Sequence, residues 1–353
     1  MRSLIRNKKQ ARASSRFIKK IGFLSSKRSF EMPFSWIFAI IAGSFIILMA
    51  IYATTKFVQT NQYSQYSESA KDLGNLLNPV VNGVTSAYST KIEFRKEIRS
   101  YLDCSETSVN SPLFGKQTIA FAEQSGFFSK WTTPGANITR YNKYIFSDNI
   151  EQGKTLYIFS KPFYAGFRVD DLVYISAEKY CFAGAPEFVK DEINSINAGN
   201  INLTPNVRQC PVSDTSVCFG FTAAECDIVV MADRNDDYIS GYVKKDNQTL
   251  NYYGSALMYA AIFSSPHIYQ CNVKRLGNKI YSLGQLYKEK IELVRLKECN
   301  SVVGQYIDGI QTIARNLTQT NIRTIYANAN LMDEQNCRSE CKIYAPESSC
   351  YTS

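Results

Sequence analysis

Histidine is almost absent from this sequence, whose 353 residues contain one, His267. No two cysteines are separated by two residues, and there is no Gly-x4-Gly-Lys, Gly-x-Gly-x-x-Gly or Gly-x-Ser-x-Gly motif. Zinc sites need closely spaced Cys and His ligands, and catalytic triads need a histidine base. The first two glycine motifs are typical of nucleotide-binding loops, and the third is typical of serine hydrolases. The absences predict no metal, no cofactor and no catalytic residue, so we interpret the chain as a non-enzyme.

Acidic residues are scarce in the first 31 residues, which hold ten basic residues and one acid, Glu31. The net charge of the chain is +9, so the remainder is neutral, with 30 basic and 30 acidic residues. A neutral remainder offers no electrostatic footprint for DNA or RNA, and we predict no nucleic-acid partner. A basic block before an apolar run is typical of a cytoplasmic membrane flank. Residues 1–31 are therefore interpreted as a cytoplasmic arm next to the lipid bilayer.

Charge is missing altogether from the 24 residues Met32–Thr55. As a helix this run would span roughly 36 Å, which exceeds a hydrocarbon core of about 30 Å. A cleaved signal peptide has a shorter apolar region and a small-x-small cleavage site, and neither is found here. We predict one uncleaved transmembrane helix at residues 32–55. No other stretch is long enough, so the chain is predicted to cross the cell membrane once, with its C-terminal domain extracytoplasmic.

Cysteine is plentiful only after the apolar run, and an even number there predicts disulfides in an oxidising compartment. The ten cysteines are Cys104, Cys181, Cys210, Cys218, Cys226, Cys271, Cys299, Cys337, Cys341 and Cys350. Four Asn-x-Ser/Thr sequences on the same side predict glycosylation acceptors. They begin at Asn137, Asn202, Asn247 and Asn316.

Residues 56–90 become amphipathic, with Leu73, Leu76 and Leu77 at helical spacing, and they predict a helical stalk. From 91 to 252 the chain has short runs rich in Ile, Val, Phe and Tyr between turn residues, interrupted by the helical segment PEFVKDEINSI. CDIVVMA and YISGYVKK flank DRNDD, which predicts a β-hairpin. We predict an α+β domain with a mainly antiparallel sheet.

Residues 253–353 are predicted to form helices and a cysteine-containing tail. SALMYAAIF is a short apolar helix, and apolar residues recur at helical spacing from Leu276 to Val294 and again from Val303 to Ala329. Asn300–Ser301 separates the two long segments, so we expect an antiparallel helical hairpin. In such a hairpin Cys271 would lie near the end of the second helix, and we predict that it pairs with Cys337 or Cys341.

Two local patterns resemble functional motifs and lack their essential residues. Asp233, Asn235 and Asp237 begin like a calcium loop, but glycine is missing at position 6 and glutamate at position 12, which predicts a solvated turn. Ser176 and Lys179 form Ser-x-x-Lys, as in penicillin-binding serine enzymes, but no Lys-Thr-Gly follows.

The basic leader, Ser29, Phe30–Glu31 and the apolar helix together resemble type IV pilin-like proteins. That resemblance implies cleavage between Ser29 and Phe30 and packing of the helix in a filament. Glu31 would be the second mature residue, whereas pilins carry theirs at the fifth. EMPFSWIFAIIAG, KPFYAGFRVDDLVYISAEKYCF and YYGSALMYAAIFSSPHIYQCNVKRL resemble segments of single-pass, membrane-anchored surface proteins of small-genome (DPANN) archaea. This second resemblance covers most of the chain and implies no activity.

Together these features predict a membrane-anchored extracytoplasmic protein with a structural or interaction role at the cell surface, in attachment or envelope assembly. Its expected partners are the bilayer and other surface proteins, including further copies of itself. A pilin-like filament subunit and a divergent surface hydrolase are the two alternatives.

Overall fold

The structure is a computed structural model, and it describes residues 35–57, 88–106, 114–124, 130–220, 225–233, 238–298, 300–339 and 341–345. The chain divides into two compact units, residues 1–57 and 58–353. In the first unit, helix α1 (Ser35–Phe57) has 23 residues and is long and apolar enough to cross a membrane. It overlaps the predicted segment 32–55. The arm at 1–31, with the Ser29–Phe30 bond, and residues 58–87 of the predicted stalk lie outside the described residues.

The first sheet of the second unit, sheet 1, has the strand order β3–β2–β1–β5–β6–β4. Its neighbouring strands are antiparallel except β4 and β6, which are parallel. Residues 88–90 were predicted as stalk, but they pair with residues 158–160 of β5 and therefore belong to the first strand of this sheet. The strands are β1 (Tyr88–Ser105), β2 (Lys116–Glu123), β3 (Ile138–Arg140), β4 (Tyr144–Phe146), β5 (Ile150–Ala165) and β6 (Phe167–Ser176).

Sheet 2 has the order β12–β11–β10–β9–β7–β8 and is mixed. Its strands are β7 (Tyr180–Ala183), β8 (Ile201–Thr204), β9 (Thr215–Phe219), β10 (Ile228–Ala232), β11 (Ser240–Lys245) and β12 (Gln248–Tyr253). Strands β8, β7, β9 and β10 are parallel neighbours, and only β10–β11 and β11–β12 are antiparallel. Sheet 2 therefore departs from the predicted mainly antiparallel sheet, whereas sheet 1 follows it apart from the β4–β6 pair. Helix α2 (Glu187–Ile196) supplies the crossover that the parallel strands β7 and β8 need. The α+β class itself is confirmed.

Helix α3 (Gly254–Phe263) lies between the two sheets, and residues 256–263 are all buried. Phe263 packs against Phe159 of sheet 1 and Phe182 of sheet 2, with ring centroids 5.2 and 6.2 Å away. A helix that is apolar on every side needs such a position, because it has no face suited to water. The sheet region and the C-terminal helices therefore share one core.

The C-terminal helices are α4 (Pro266–Arg295), α5 (Gly304–Ala314) and α6 (Ile325–Arg338). A Cβ at Gly284 would meet Gln311, and one at Gly277 would meet Leu317, so close contact between α4 and the α5 region depends on glycine. The predicted continuous helix from Val303 to Ala329 is wrong. The α-helix ends at Ala314, and a 3-10 turn, Ile322–Thr324, precedes α6.

Cys271 pairs with Cys104, so the predicted pairing with Cys337 or Cys341 is wrong. The break after α5 redirects α6 toward β5, where Met332 and Ala329 approach Gly166. The first turns of α4 instead pack on β1, which carries Cys104. The other resolved pairs are Cys181–Cys210 and Cys218–Cys226; Cys337 and Cys341 are also disulfide-bonded, and Cys299 and Cys350 lie outside the described residues.

Candidate ligand-binding cleft

An open cleft of about 640 Å³ lies where β5, α2, the β12–α3 junction and α6 converge. Its volume is within the range of small-molecule sites, about 300–1,000 Å³. The principal lining groups are Lys161–Tyr164 of β5, Phe188 and Glu192 of α2, Tyr253–Ala256 at the junction, and Tyr326, Asn330 and Asp333 of α6. Residues far apart in sequence therefore form one concave surface.

The β12–α3 junction depends on Gly254, whose φ is +75°. L-residues rarely adopt this backbone conformation, and glycine does so without steric cost. The Gly254 N–H donates to the carbonyl of Ile239 at 2.7 Å, which fixes the turn. Because the strand passes directly into the helix, Tyr253 and the first turn of α3 lie side by side on the cleft wall.

Aromatic rings line the cleft in two groups. Phe163, Tyr253 and Tyr326 follow one another edge to face, with successive centroids 6.4 and 6.1 Å apart. Phe188 and Tyr238 form the second group, with centroids 6.2 Å apart. Edge-to-face packing is favourable for aromatic pairs and holds each ring in a defined orientation. Phe163, Tyr238 and Tyr253 are buried, so these contacts orient the two partly exposed rings, Phe188 and Tyr326.

Tyr238 has an unusual backbone for its residue type. Its side chain is buried and its φ is +50°, a conformation that is uncommon for a residue other than glycine. Such strain costs about 1–3 kcal/mol and persists where the surrounding structure enforces it, commonly at functional sites. In this fold it brings the Tyr238 ring to the cleft wall.

Two charged side chains of the cleft, Lys161 and Glu192, form an ion pair that is supported by the hydroxyl of Tyr259. Lys161 Nζ donates to Glu192 Oε1, and the Tyr259 hydroxyl donates to Glu192 Oε2 at 2.8 Å. Burial and the Glu192 carboxylate hold the pKa of Tyr259 well above its usual range, so the hydroxyl keeps its proton. Lys161 and Glu192 each remain partly exposed. Their free donor and acceptor positions are therefore available at the cleft surface, next to the aromatic rings.

A second, shallower cleft of about 480 Å³ is rich in acids, including Asp148, Glu178, Asp214 and Asp227. These groups have structural partners. Asp148 pairs with Lys245 at 3.1 Å, Asp227 accepts from the Ser216 N–H and hydroxyl, and Asp214 accepts from the Asn202 amide. Among the described residues, no group of three or more His, Cys, Asp and Glu side chains could hold a metal ion. The hydrogen bonds and the ion pair of these acids stabilise the local structure.

Glu151 lies buried at the start of β5 beside this acidic cleft. Its carboxylate accepts from the Ala177 N–H at 2.8 Å and from the Asp148 N–H and Ser147 hydroxyl, each at 3.3 Å. Burial raises the pKa of Glu151 to about 7, although the backbone hydrogen bonds oppose the rise. The native state therefore keeps a proton that the unfolded chain releases at lower pH.

This proton predicts a pH-dependent stability. Because the folded pKa exceeds the unfolded one, the contribution of Glu151 to the free energy of unfolding falls as pH rises from about 4.5 and levels off above about 7, a loss of about 3 kcal/mol. The Glu151→Gln variant is expected to lack this pH-dependent decrease in the free energy of unfolding. Urea unfolding at several pH values would measure the change, with Glu187→Gln, an exposed residue of α2, as the control. A wild-type pH slope in Glu151→Gln would contradict the prediction.

The predicted glycosylation acceptors Asn137, Asn202, Asn247 and Asn316 are all exposed, and their modification stays a prediction. Asp233 of the predicted solvated turn accepts from Ser240 and Arg323, while Asn235 and Asp237 lie outside the described residues.

Sequence reasoning did not identify the cleft residues. Two segments quoted for the archaeal resemblance contain Lys161–Tyr164 and Tyr253–Ala256, and their aromatic residues beside Pro162 and Gly254 were the available signal.

The fold and cleft define an α+β protein that is cross-linked by disulfides and preceded by an apolar helix. No protein-family model, curated protein or solved structure matches this chain.

Proposed function

We propose that the chain is a single-pass membrane protein that displays residues 58–353 as a recognition domain on the extracytoplasmic side. Its role there is structural or interactive, in attachment or envelope assembly, with the bilayer and surface proteins as partners. The observation that carries this proposal is α1. Trp36, Phe45 and Ile46 of this helix are each more than half exposed, and contiguous exposed apolar surface of this size supports a segment surrounded by hydrocarbon.

The disulfides and the basic arm support the proposed orientation. Cys104–Cys271, Cys181–Cys210 and Cys218–Cys226 all lie in the second unit, and disulfides persist in oxidising compartments outside the cytoplasm. The ten basic residues before α1 favour a cytoplasmic N-terminus by the positive-inside rule. Both observations favour the same topology independently.

Membrane integration predicts a specific fractionation result. The full chain is expected to stay in the membrane pellet after alkaline carbonate washing and to be released by detergent. Ile46→Lys with Ile47→Lys is expected to abolish this retention, because each lysine near a helix centre costs about 2.5–3.5 kcal/mol on insertion. Ile46→Val with Ile47→Val is the matched control and should behave like wild type. Release of the wild-type chain by carbonate would contradict the anchor.

The N-terminus and orientation need a second measurement on the same membranes. External protease is expected to digest the second unit and spare residues 1–31, and mass spectrometry is expected to find the N-terminal arm intact. Loss of residues 1–29 would instead support a pilin-like subunit cleaved between Ser29 and Phe30. Digestion of the arm by external protease would overturn the proposed orientation.

A further inference from the structure

We propose that the cleft between β5, α2, the β12–α3 junction and α6 binds a neutral oligosaccharide. This names a ligand for the proposed recognition role and rests on that role for its biological setting. The binding itself is a property of the folded second unit and can be measured wherever α1 places it.

Aromatic rings supply the apolar contacts of the proposed site. Tyr164, Phe188 and Tyr326 are half-buried on the cleft wall, so each exposes part of a ring to a ligand. A pyranose ring has a face of C–H groups that fits flat against such a surface, and the contact removes apolar area on both sides from water. Tyrosine and phenylalanine have few rotatable bonds, so ordering them on binding costs little.

The polar half comes from Lys161 and Glu192. Their ion pair places a donor and an acceptor side by side, and a sugar hydroxyl both donates and accepts. Asn330 and Asp333 supply further amide and carboxylate groups on the α6 side of the cleft. Hydroxyls along the edge of a pyranose ring would meet these groups while its C–H face contacts the aromatic rings.

Charge selects a neutral ligand. Among the described residues, the acids and bases that line the cleft are Lys161, Glu192 and Asp333, whose formal charges sum to one negative charge. Phosphate and carboxylate ligands are normally held by arginine or lysine clusters, and Lys161 is already paired with Glu192. A nucleotide or an acidic sugar would therefore meet repulsion, whereas a neutral sugar would not.

Pre-organisation explains how a weakly interacting ligand could be held. The Tyr259 hydroxyl fixes Glu192 from beneath, and the ring pairs fix Phe163, Tyr253 and Tyr326. Tyr238 is held in the cleft at the cost of a left-handed backbone. Because these groups are already in place, little conformational entropy opposes binding.

The test is a titration of the purified full chain with maltotriose, cellotriose, chitotriose and mannotriose. A polyoxyethylene detergent must be used, because sugar-headed detergents would occupy the cleft themselves. Isothermal titration calorimetry is expected to detect at least one of the four with a Kd of about 1 mM or tighter. If none binds, or if choline or inorganic phosphate saturates the cleft instead, the inference is overturned.

Substitutions of cleft residues test whether the oligosaccharide binds in this cleft. Tyr326→Ala is expected to weaken it about tenfold, and Tyr326→Phe is expected to retain it, since the ring remains. Tyr306→Ala, at a half-buried tyrosine of α5 outside the cleft, is the matched control.

Glu192→Gln keeps an acceptor for Tyr259 and removes the ion pair, so it should weaken binding while Glu187→Gln does not. Equal weakening by Tyr306→Ala would overturn the assignment, whereas failure of the membrane fractionation would leave these titrations valid.

Discussion

Replacing Arg275 by methionine is expected to lower the free energy of unfolding by about 2–6 kcal/mol, because two acceptors lose their hydrogen-bond donor. Arg275 lies on α4 and is fully buried. Its Nε donates to the Phe114 carbonyl at 2.9 Å, Nη1 to the Asn272 side-chain oxygen at 2.6 Å, and Nη2 to the Tyr141 carbonyl at 3.0 Å. Methionine would leave the Phe114 and Asn272 oxygens without this donor, and an unpaired buried acceptor costs about 1–3 kcal/mol. The Tyr141 carbonyl would keep a second donor, the Lys143 N–H.

Arg275 remains positively charged although it is buried. Burial lowers the pKa of the guanidinium to about 10, so the group stays protonated at neutral pH. Its central carbon lies 4.8 Å from the centroid of the Tyr144 ring, whose face attracts a cation. Arg275→Lys is expected to rescue little, because an ammonium cannot reach three diverging acceptors as a planar guanidinium does.

Lys274→Met is the matched control, since Lys274 is the adjacent basic residue on the same helix. It is partly exposed and pairs with Glu106 at the surface, at 2.9 Å. Exposed ion pairs contribute about 0–1 kcal/mol, so this variant should unfold at nearly the wild-type urea concentration. Urea unfolding followed by circular dichroism would compare them. Similar stabilities for Arg275→Met and Lys274→Met would refute the assigned role of Arg275.

Loss of the Cys104–Cys271 disulfide is the second large effect. This bond joins residues 167 positions apart and links β1 of sheet 1 to the first turns of α4. Cross-linking so long a segment restricts the unfolded chain, and its removal as Cys104→Ala with Cys271→Ala is expected to cost about 5 kcal/mol on the chain-entropy estimate. Both sulfurs are also buried in the core of sheet 1, so their removal loses packing.

The Cys218–Cys226 disulfide provides the comparison, because its cysteines are 8 positions apart. The same entropy relation gives about half the loss for this short loop. Double-alanine variants at each pair, unfolded in urea under identical conditions, should rank in that order. A larger loss from the short loop would show that packing, and not chain entropy, decides the ranking. Peptide mapping without reduction should recover a fragment containing both Cys104 and Cys271.

Several elements of the fold could be predicted from local sequence. The apolar residues of CDIVVMA and YISGYVKK correspond to β10 and β11, which pair as an antiparallel hairpin. PEFVKDEINSI corresponds to α2, with Pro186 immediately before it, and SALMYAAIF corresponds to α3. These elements were predictable because hydrophobic periodicity, proline and turn residues act within one or two turns of chain.

Other features required the folded chain. Parallel pairing of β7, β8 and β9 depends on where the α2 crossover places each strand, and short apolar runs do not encode that direction. The end of α5 at Ala314 lies within a continuous apolar periodicity, so tertiary packing overrides the local pattern. The mistaken partner for Cys271 followed directly from assuming that the helix continued.

The sequence by itself determined the apolar helix, the basic charge of residues 1–31, the supply of cysteines after that helix and the α+β class, because composition and short-range periodicity are local properties. Only the tertiary structure decided that Cys271 meets Cys104 and that Lys161, Glu192, Tyr253 and Tyr326 line one cleft. Those groups come from distant parts of the chain. Their proximity depends on how α3 packs between two sheets and where α6 is redirected, which follow from burying one shared core.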